Sequence, residues 1–167
     1  MARGSVPADV EFIGEAPGES EDVLGQPFKG PAGKLLDDMI LKALQDGIEA
    51  HYGLGPAPPM LWTNLVGCIP KSEETRRKNV EPLPEEIEAC RPRLDTLVRI
   101  ARPKLIVAVG DLAERYSKLY GYDKKYQWLS IRHPAFLLRL DISRQGLEIQ
   151  RTIVNLSAAF LEMVEKK

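Results

Sequence analysis

Lys104-Leu105-Ile106-Val107-Ala108-Val109-Gly110 is a continuous apolar run, rich in β-branched residues, that begins after Pro103 and stops at a glycine. A short run with no polar alternation reads as a strand buried on both faces, the condition of strands in a parallel sheet with helices above and below. On its N-terminal side, Pro84-Glu85-Glu86 opens a helix, with proline suited to the first turn and acids to the positive end of the dipole, and Pro103 closes it. On its C-terminal side Asp111 is expected to cap the next helix.

Three further runs complete the strand set. Val10-Glu11-Phe12-Ile13 stops at Gly14, Met60-Leu61-Trp62-Thr63-Asn64-Leu65-Val66 follows the Gly- and Pro-broken stretch 47–59, and Tyr126-Gln127-Trp128-Leu129-Ser130-Ile131 leads to His133-Pro134. Between them, residues 32–45 place Leu35, Leu36, Met39, Ile40, Leu41 and Leu44 at helical spacing, and residues 147–164 form a closing amphipathic helix. The segment 14–33 reads as a long ordered loop, and such loops are usually functional; residues 69–83, rich in charge, read as an exposed loop. Strands alternating with helices predict right-handed crossovers and an α/β fold with a parallel sheet covered on both faces.

The 167 residues suit a single domain spanning 1–167, and 44% hydrophobic with 28% charged residues exclude a disordered chain. A formal net charge of -1 supplies no global field toward phosphate, so nucleic-acid contact would need a local basic patch or backbone amides. Two cysteines, Cys68 and Cys90, are too few for a disulfide framework. With no signal-peptide core ahead of Val10 and no run of about 18 apolar residues, the expectation is a cytoplasmic protein without a membrane partner.

Ligands of such sheets bind beyond the carboxyl ends of the strands, which gathers Gly14-Glu15, Asn64, Gly110-Asp111 and Arg132-His133-Pro134 into one constellation. At these places the motifs GEAPGESEDVLGQPFKGPAGKLL (14–36), TNLVGC (63–68), PEEIEACRPRL (84–94), PKLIVAVGDLA (103–113) and RHPAFLLR (132–139) resemble the family 4 uracil-DNA glycosylases. The resemblance spans nearly the whole chain in order. It implies a three-layer α/β/α sandwich with a central four-stranded parallel sheet.

The resemblance also implies roles. Phe28 stacks on the flipped base, replacing the stacking lost in the duplex; its alternative is to anchor the loop in the core. Asn64 reads the base edge, its amide offering the donor and acceptor that a uracil carbonyl and N3–H require; its alternative is a strand-end cap. Gly14 and Ala16 complete the base-binding wall. His133 hydrogen-bonds the developing charge on uracil O2, with a structural histidine as the other reading. Glu15 is the candidate to orient water, with Asp22 and Glu19 as alternatives, because Ala16 stands where better known uracil glycosylases carry an aspartate. Gly18, Arg132, Pro134 and Arg139 are expected at the DNA, the last three in a loop resembling the family's minor-groove loop; the other reading of either arginine is a solvated surface charge.

Two departures qualify the resemblance. Family 4 enzymes hold an iron-sulfur cluster on four cysteines, and only Cys68 and Cys90 have counterparts, so no cofactor, cluster or metal is expected. The loop between these cysteines is long and carries Arg76, Arg77 and Lys78, for which phosphate contact and plain solvation are equal readings. It has no histidine, unlike a related subgroup that traps the DNA sugar covalently. The expected function is a monomeric, monofunctional DNA-repair glycosylase acting on uracil in single- or double-stranded DNA to leave an abasic site. The alternatives are a glycosylase for hypoxanthine or xanthine, a non-catalytic DNA- or protein-binding relative and, third, a nucleotide-binding α/β domain of unrelated function, for which the sequence has no phosphate-loop signature.

Overall fold

The computed structural model describes residues 1–53, 55–70 and 80–166. Five strands form one sheet in the order β1-β3-β2-β4-β5: β1 Ala2–Gly4, β2 Val10–Gly14, β3 Met60–Asn64, β4 Leu105–Val109 and β5 Gln127–Ile131. The four expected strands run parallel, β2 lying between β3 and β4. The sheet has a fifth member, because β1 pairs antiparallel with β3, Ala2 opposite Thr63 and Gly4 opposite Leu61. Ala2-Arg3-Gly4 is too short to carry an alternating pattern, so only its partner reveals it.

The helices are α1 Glu19–Leu24, α2 Pro31–Leu44, α3 Ala50–Tyr52, α4 Pro84–Ala101, α5 Asp111–Leu119, α6 Tyr122–Lys125, α7 Pro134–Leu137 and α8 Ile142–Glu165. A π-helical turn, Gln45–Glu49, joins α2 to α3. Val10, Phe12, Leu105 and Val107 face one layer, packing with Leu36, Met39 and Ile40 of α2 and Ile153, Leu156 and Phe160 of α8. Ile13 and Ile106 face the other, with Ile87, Leu94 and Val98 of α4 and Leu112 and Tyr116 of α5. This is the α/β/α sandwich expected from the uninterrupted apolar strands.

Local differences have local causes. The segment 14–33 contains a helix, α1, started by three acids, Glu19, Glu21 and Asp22, in its first turn. Gly110, not Asp111, is the N-cap of α5; Asp111 is its first helical residue. The last helix begins at Ile142 instead of Leu147 because Asp141 caps it, accepting a hydrogen bond from the Arg144 N–H at 3.1 Å. β3 ends at Asn64, where its chain turns away through Leu65 and Val66.

Candidate functional site

The carboxyl ends of β2 and β3 lie side by side, Gly14 opposite Asn64. Beyond the ladder, the Leu65 N–H donates to the Gly14 carbonyl at 2.9 Å and the Val66 N–H to the Glu15 carbonyl at 3.2 Å. A Cβ at position 14 would stand 2.4 Å from Asn64 Oδ1 and 2.5 Å from Phe28 Cζ. Glycine there is therefore a condition for bringing the amide and the ring together. Asn64 is 3% exposed and Phe28 5%.

Phe28 is held in the left-handed region, φ 56°, a conformation costing an L-residue about 1 kcal/mol. Its main chain lies against the first turn of α2, where a Cβ on Gly33 would come 2.0 Å from the Phe28 carbonyl oxygen. Across the base of the loop, Glu21 accepts from the Gly18 N–H at 2.5 Å and the Gly30 N–H at 3.4 Å. One carboxylate thus ties the two ends of the segment that carries Phe28. Its signal in the sequence was a glutamate at the third position of a helix, the reach-back place of a capping box.

His133 ends the strand-to-helix turn before α7. Its Nδ1 accepts from the Ala135 N–H at 3.1 Å, which fixes the neutral ring with its proton on Nε2. Burial lowers its pKa below the usual histidine value, with Glu21 opposing and Arg139 reinforcing the shift. Glu15 is half-buried, and its carboxyl is raised above the ordinary range by burial and then by the charge of Glu81.

These groups meet in a cleft of about 590 Å³ lined by Glu15, Ala16, Gly18, Phe28, Asn64 and His133. A second cleft of about 480 Å³ shares Glu15, His133 and Arg139 with the first and adds Glu81, Arg115 and Arg132. Of the DNA-side candidates, Arg139 lines both clefts and Arg132 the second, where its guanidinium lies 5.2 Å from the Phe136 ring centre and 3.5 Å from Glu148. Pro134 is buried as the first residue of α7, and the Gly18 amide is engaged by Glu21. Asp22 is exposed and borders neither cleft, whereas Glu19 borders the first. Arg76, Arg77 and Lys78 lie outside the described residues. Glu81 and Arg115 had no motif to single them out.

Cys68 is exposed and Cys90 half-buried. An iron-sulfur cluster commonly takes four thiolates. Among the described residues there are two, and no group of three or more Cys, His, Asp or Glu surrounds a common point. These residues by themselves do not fit a four-thiolate cluster.

The fold is a doubly wound α/β/α sandwich with an aromatic ring, an amide and an imidazole lining one cleft at its strand ends. The chain belongs to the uracil DNA glycosylase superfamily, whose model matches residues 1–154. It is 41% identical to a type-4 uracil-DNA glycosylase of Sulfurisphaera tokodaii over 122 residues, 73% of this chain and 47% of that protein. It is 32% identical to that of Archaeoglobus fulgidus over 154 residues, 81% and 69% of the two chains. With that of Thermotoga maritima the identity is 30% over 154 residues, 83% and 71%. The chain thus spans about half the length of the Sulfurisphaera relative.

Proposed function

We propose that the chain, acting as one domain over residues 1–167, is a monofunctional uracil-DNA glycosylase that hydrolyses the bond between uracil and deoxyribose. The observation that carries this reading is the convergence of Phe28, Asn64 and His133 on one cleft beside Glu15. Phe28 offers a face for the flipped base. The Asn64 amide pairs with one carbonyl of uracil and N3–H, a pattern cytosine does not present, so the wrong base leaves a buried amide unsatisfied.

As the C1′–N1 bond breaks, its electrons pass to the uracil ring. His133 Nε2–H is the donor for the charge gathering on O2, and a neutral imidazole serves, since catalysis here needs a hydrogen bond aimed at the anion. The sugar becomes cationic at C1′; Glu15 in its ionised form orients water toward it and takes up the water proton. The uracil anion takes a proton from solvent as it leaves, Glu15 returns its proton to water, and the products are uracil and an abasic site. This chemistry draws on side chains and water, with no cofactor.

Single- and double-stranded DNA are both proposed substrates, with Arg132 and Arg139 at the phosphates, and the protein is proposed to work as a cytoplasmic monomer. Among the described residues no helix is long and apolar enough to cross a membrane. The test is incubation of the purified protein with oligonucleotides bearing one uracil, followed by alkali cleavage. Alkali-labile sites at uracil are the expected result. DNA binding without cleavage would replace the enzyme with a binding relative, and cleavage only at hypoxanthine or xanthine would reassign the base.

A further inference from the structure

The carboxyl end of β3 has a neighbour on one side only. β2 and its extension serve the Gly14 side, but the β1 ladder stops at Ala2 opposite Thr63. The next carbonyls, of Asn64 and Leu65, therefore face away from any strand partner, and buried backbone carbonyls need donors. Arg93 of α4 supplies them. Its Nη2 donates to the Asn64 carbonyl at 2.5 Å and approaches the Leu65 carbonyl at 3.4 Å, while Nη1 donates to Thr63 Oγ1 at 3.1 Å and the Met1 carbonyl at 3.3 Å. The turn that follows wraps the same side chain: a Cβ on Gly67 would meet Arg93 Nε at 3.2 Å.

The nearby acid does not hold this cation. Glu11 of β2 is fully buried, yet neither of its carboxylate oxygens has a hydrogen-bond partner. The fork of the guanidinium is committed to the Asn64 and Leu65 carbonyls, the Thr63 hydroxyl and the Met1 carbonyl, and on the other edge of this segment the Leu65 N–H is bonded to Gly14 and the Val66 N–H to Glu15. A planar, five-donor group is suited to bridging several oxygens at fixed angles, which a lysine ammonium cannot reproduce.

We propose that Arg93 is a positioning residue for base readout, locking the backbone from which the Asn64 amide meets the base edge. The inference rests on the reading of Asn64 as the base reader. It assigns Arg93 no contact with substrate. Loosening the Asn64 peptide displaces its amide relative to Phe28, and small misplacements of a recognising group cost large factors in rate.

The test compares wild type, Arg93→Met, Arg93→Lys, Asn64→Ala and the Arg93→Met/Asn64→Ala double variant. Three quantities are read: single-turnover excision of uracil from single-stranded DNA, inhibition by free uracil, and affinity for DNA holding an abasic-site analogue. Arg93→Met is expected to lose roughly 10- to 100-fold in rate and a similar factor in uracil inhibition, with abasic-DNA affinity within about twofold of wild type. Its loss should largely vanish in the Asn64→Ala background, because the two residues act through one contact. Arg93→Lys, expected to recover part of the loss, carries the same comparison should Arg93→Met not fold. Wild-type rate and uracil inhibition in the variants, full additivity with Asn64→Ala, or equal loss of abasic-DNA binding would each overturn the assignment. No excision by the wild-type protein would instead remove the glycosylase reading on which it rests.

Discussion

The Nδ1 atom of His133 accepts a hydrogen bond from the backbone N–H of Ala135 two residues on, at 3.1 Å. The imidazole is thereby committed to presenting Nε2–H, and burial keeps it uncharged. His133→Ala is expected to lower the single-turnover rate roughly 10²- to 10³-fold, the usual loss for a donor to a developing anion. Affinity for uracil-containing DNA should change far less. Equal losses in rate and binding, with the fold intact, would contradict the role.

The same pair sets a spectroscopic expectation. Nitrogen-detected NMR of His133 should report an acceptor-type Nδ1 and a protonated Nε2 at neutral pH. Its titration midpoint should lie below the ordinary histidine value, because burial disfavours the cation. A midpoint above that value would require a carboxylate partner closer than Glu21.

Glu15 works ionised in the proposed reaction, and its carboxyl is raised by burial and by Glu81. The rate should therefore climb with pH through a midpoint above the ordinary carboxylate range, the fraction of ionised Glu15 rising with it. Glu81→Gln removes a like charge and should move that limb to lower pH. A limb that stays in place in the Glu81 variant and persists in Glu15→Gln would belong to another group.

Gly14→Ala tests space alone. The added methyl would stand 2.4 Å from Asn64 Oδ1 and 2.5 Å from Phe28 Cζ. The variant should fold yet lose on the order of 100-fold in uracil excision, since both groups proposed to contact the base must shift. Thermal melting separates the outcomes: activity near wild type in a folded variant would mean that the two side chains are not both needed where they stand.

Glu11 carries a prediction about stability. Burial pushes its carboxyl up to about 8, with Arg93 opposing the shift, so the folded chain keeps a proton that the unfolded chain releases in the ordinary carboxylate range. Stability should fall as pH rises from about 5 toward 8. Glu11→Gln cannot lose that proton, so its melting temperature should exceed that of wild type at pH 8 by at least a few degrees and converge with it near pH 5. Parallel curves for the two proteins would show that Glu11 is not the titrating group.

Much of this arrangement is legible in the residues. The four parallel strands stand out because burial on both faces demands unbroken apolar runs, and the strand ends then nominate Gly14, Glu15, Asn64 and His133 together. β1 escapes notice because three residues carry no period, and Glu11 because its neighbours Val10, Phe12 and Ile13 set the character of the run. Arg93 is hidden for a different reason: most of its partners are main-chain oxygens brought near only by folding, those of Met1, Asn64 and Leu65, and main-chain partners leave no mark on residue identity. Glu21 leaves only the local trace of a capping-box glutamate, and its second partner, the Gly30 N–H, is met only in the folded loop.

The contact between Gly33 and the main chain of Phe28 has a thermodynamic side. α2 is rooted in the core through Leu36, Met39 and Ile40, and Gly33 lets that helix serve as the bed on which the strained Phe28 backbone rests. The Phe28 backbone is therefore set when the chain folds, and its ring is buried in the folded protein. In the proposed reaction much of the entropy of ordering that residue is settled in advance, so that the free energy of stacking would go to holding the base instead of to fixing the surface that receives it.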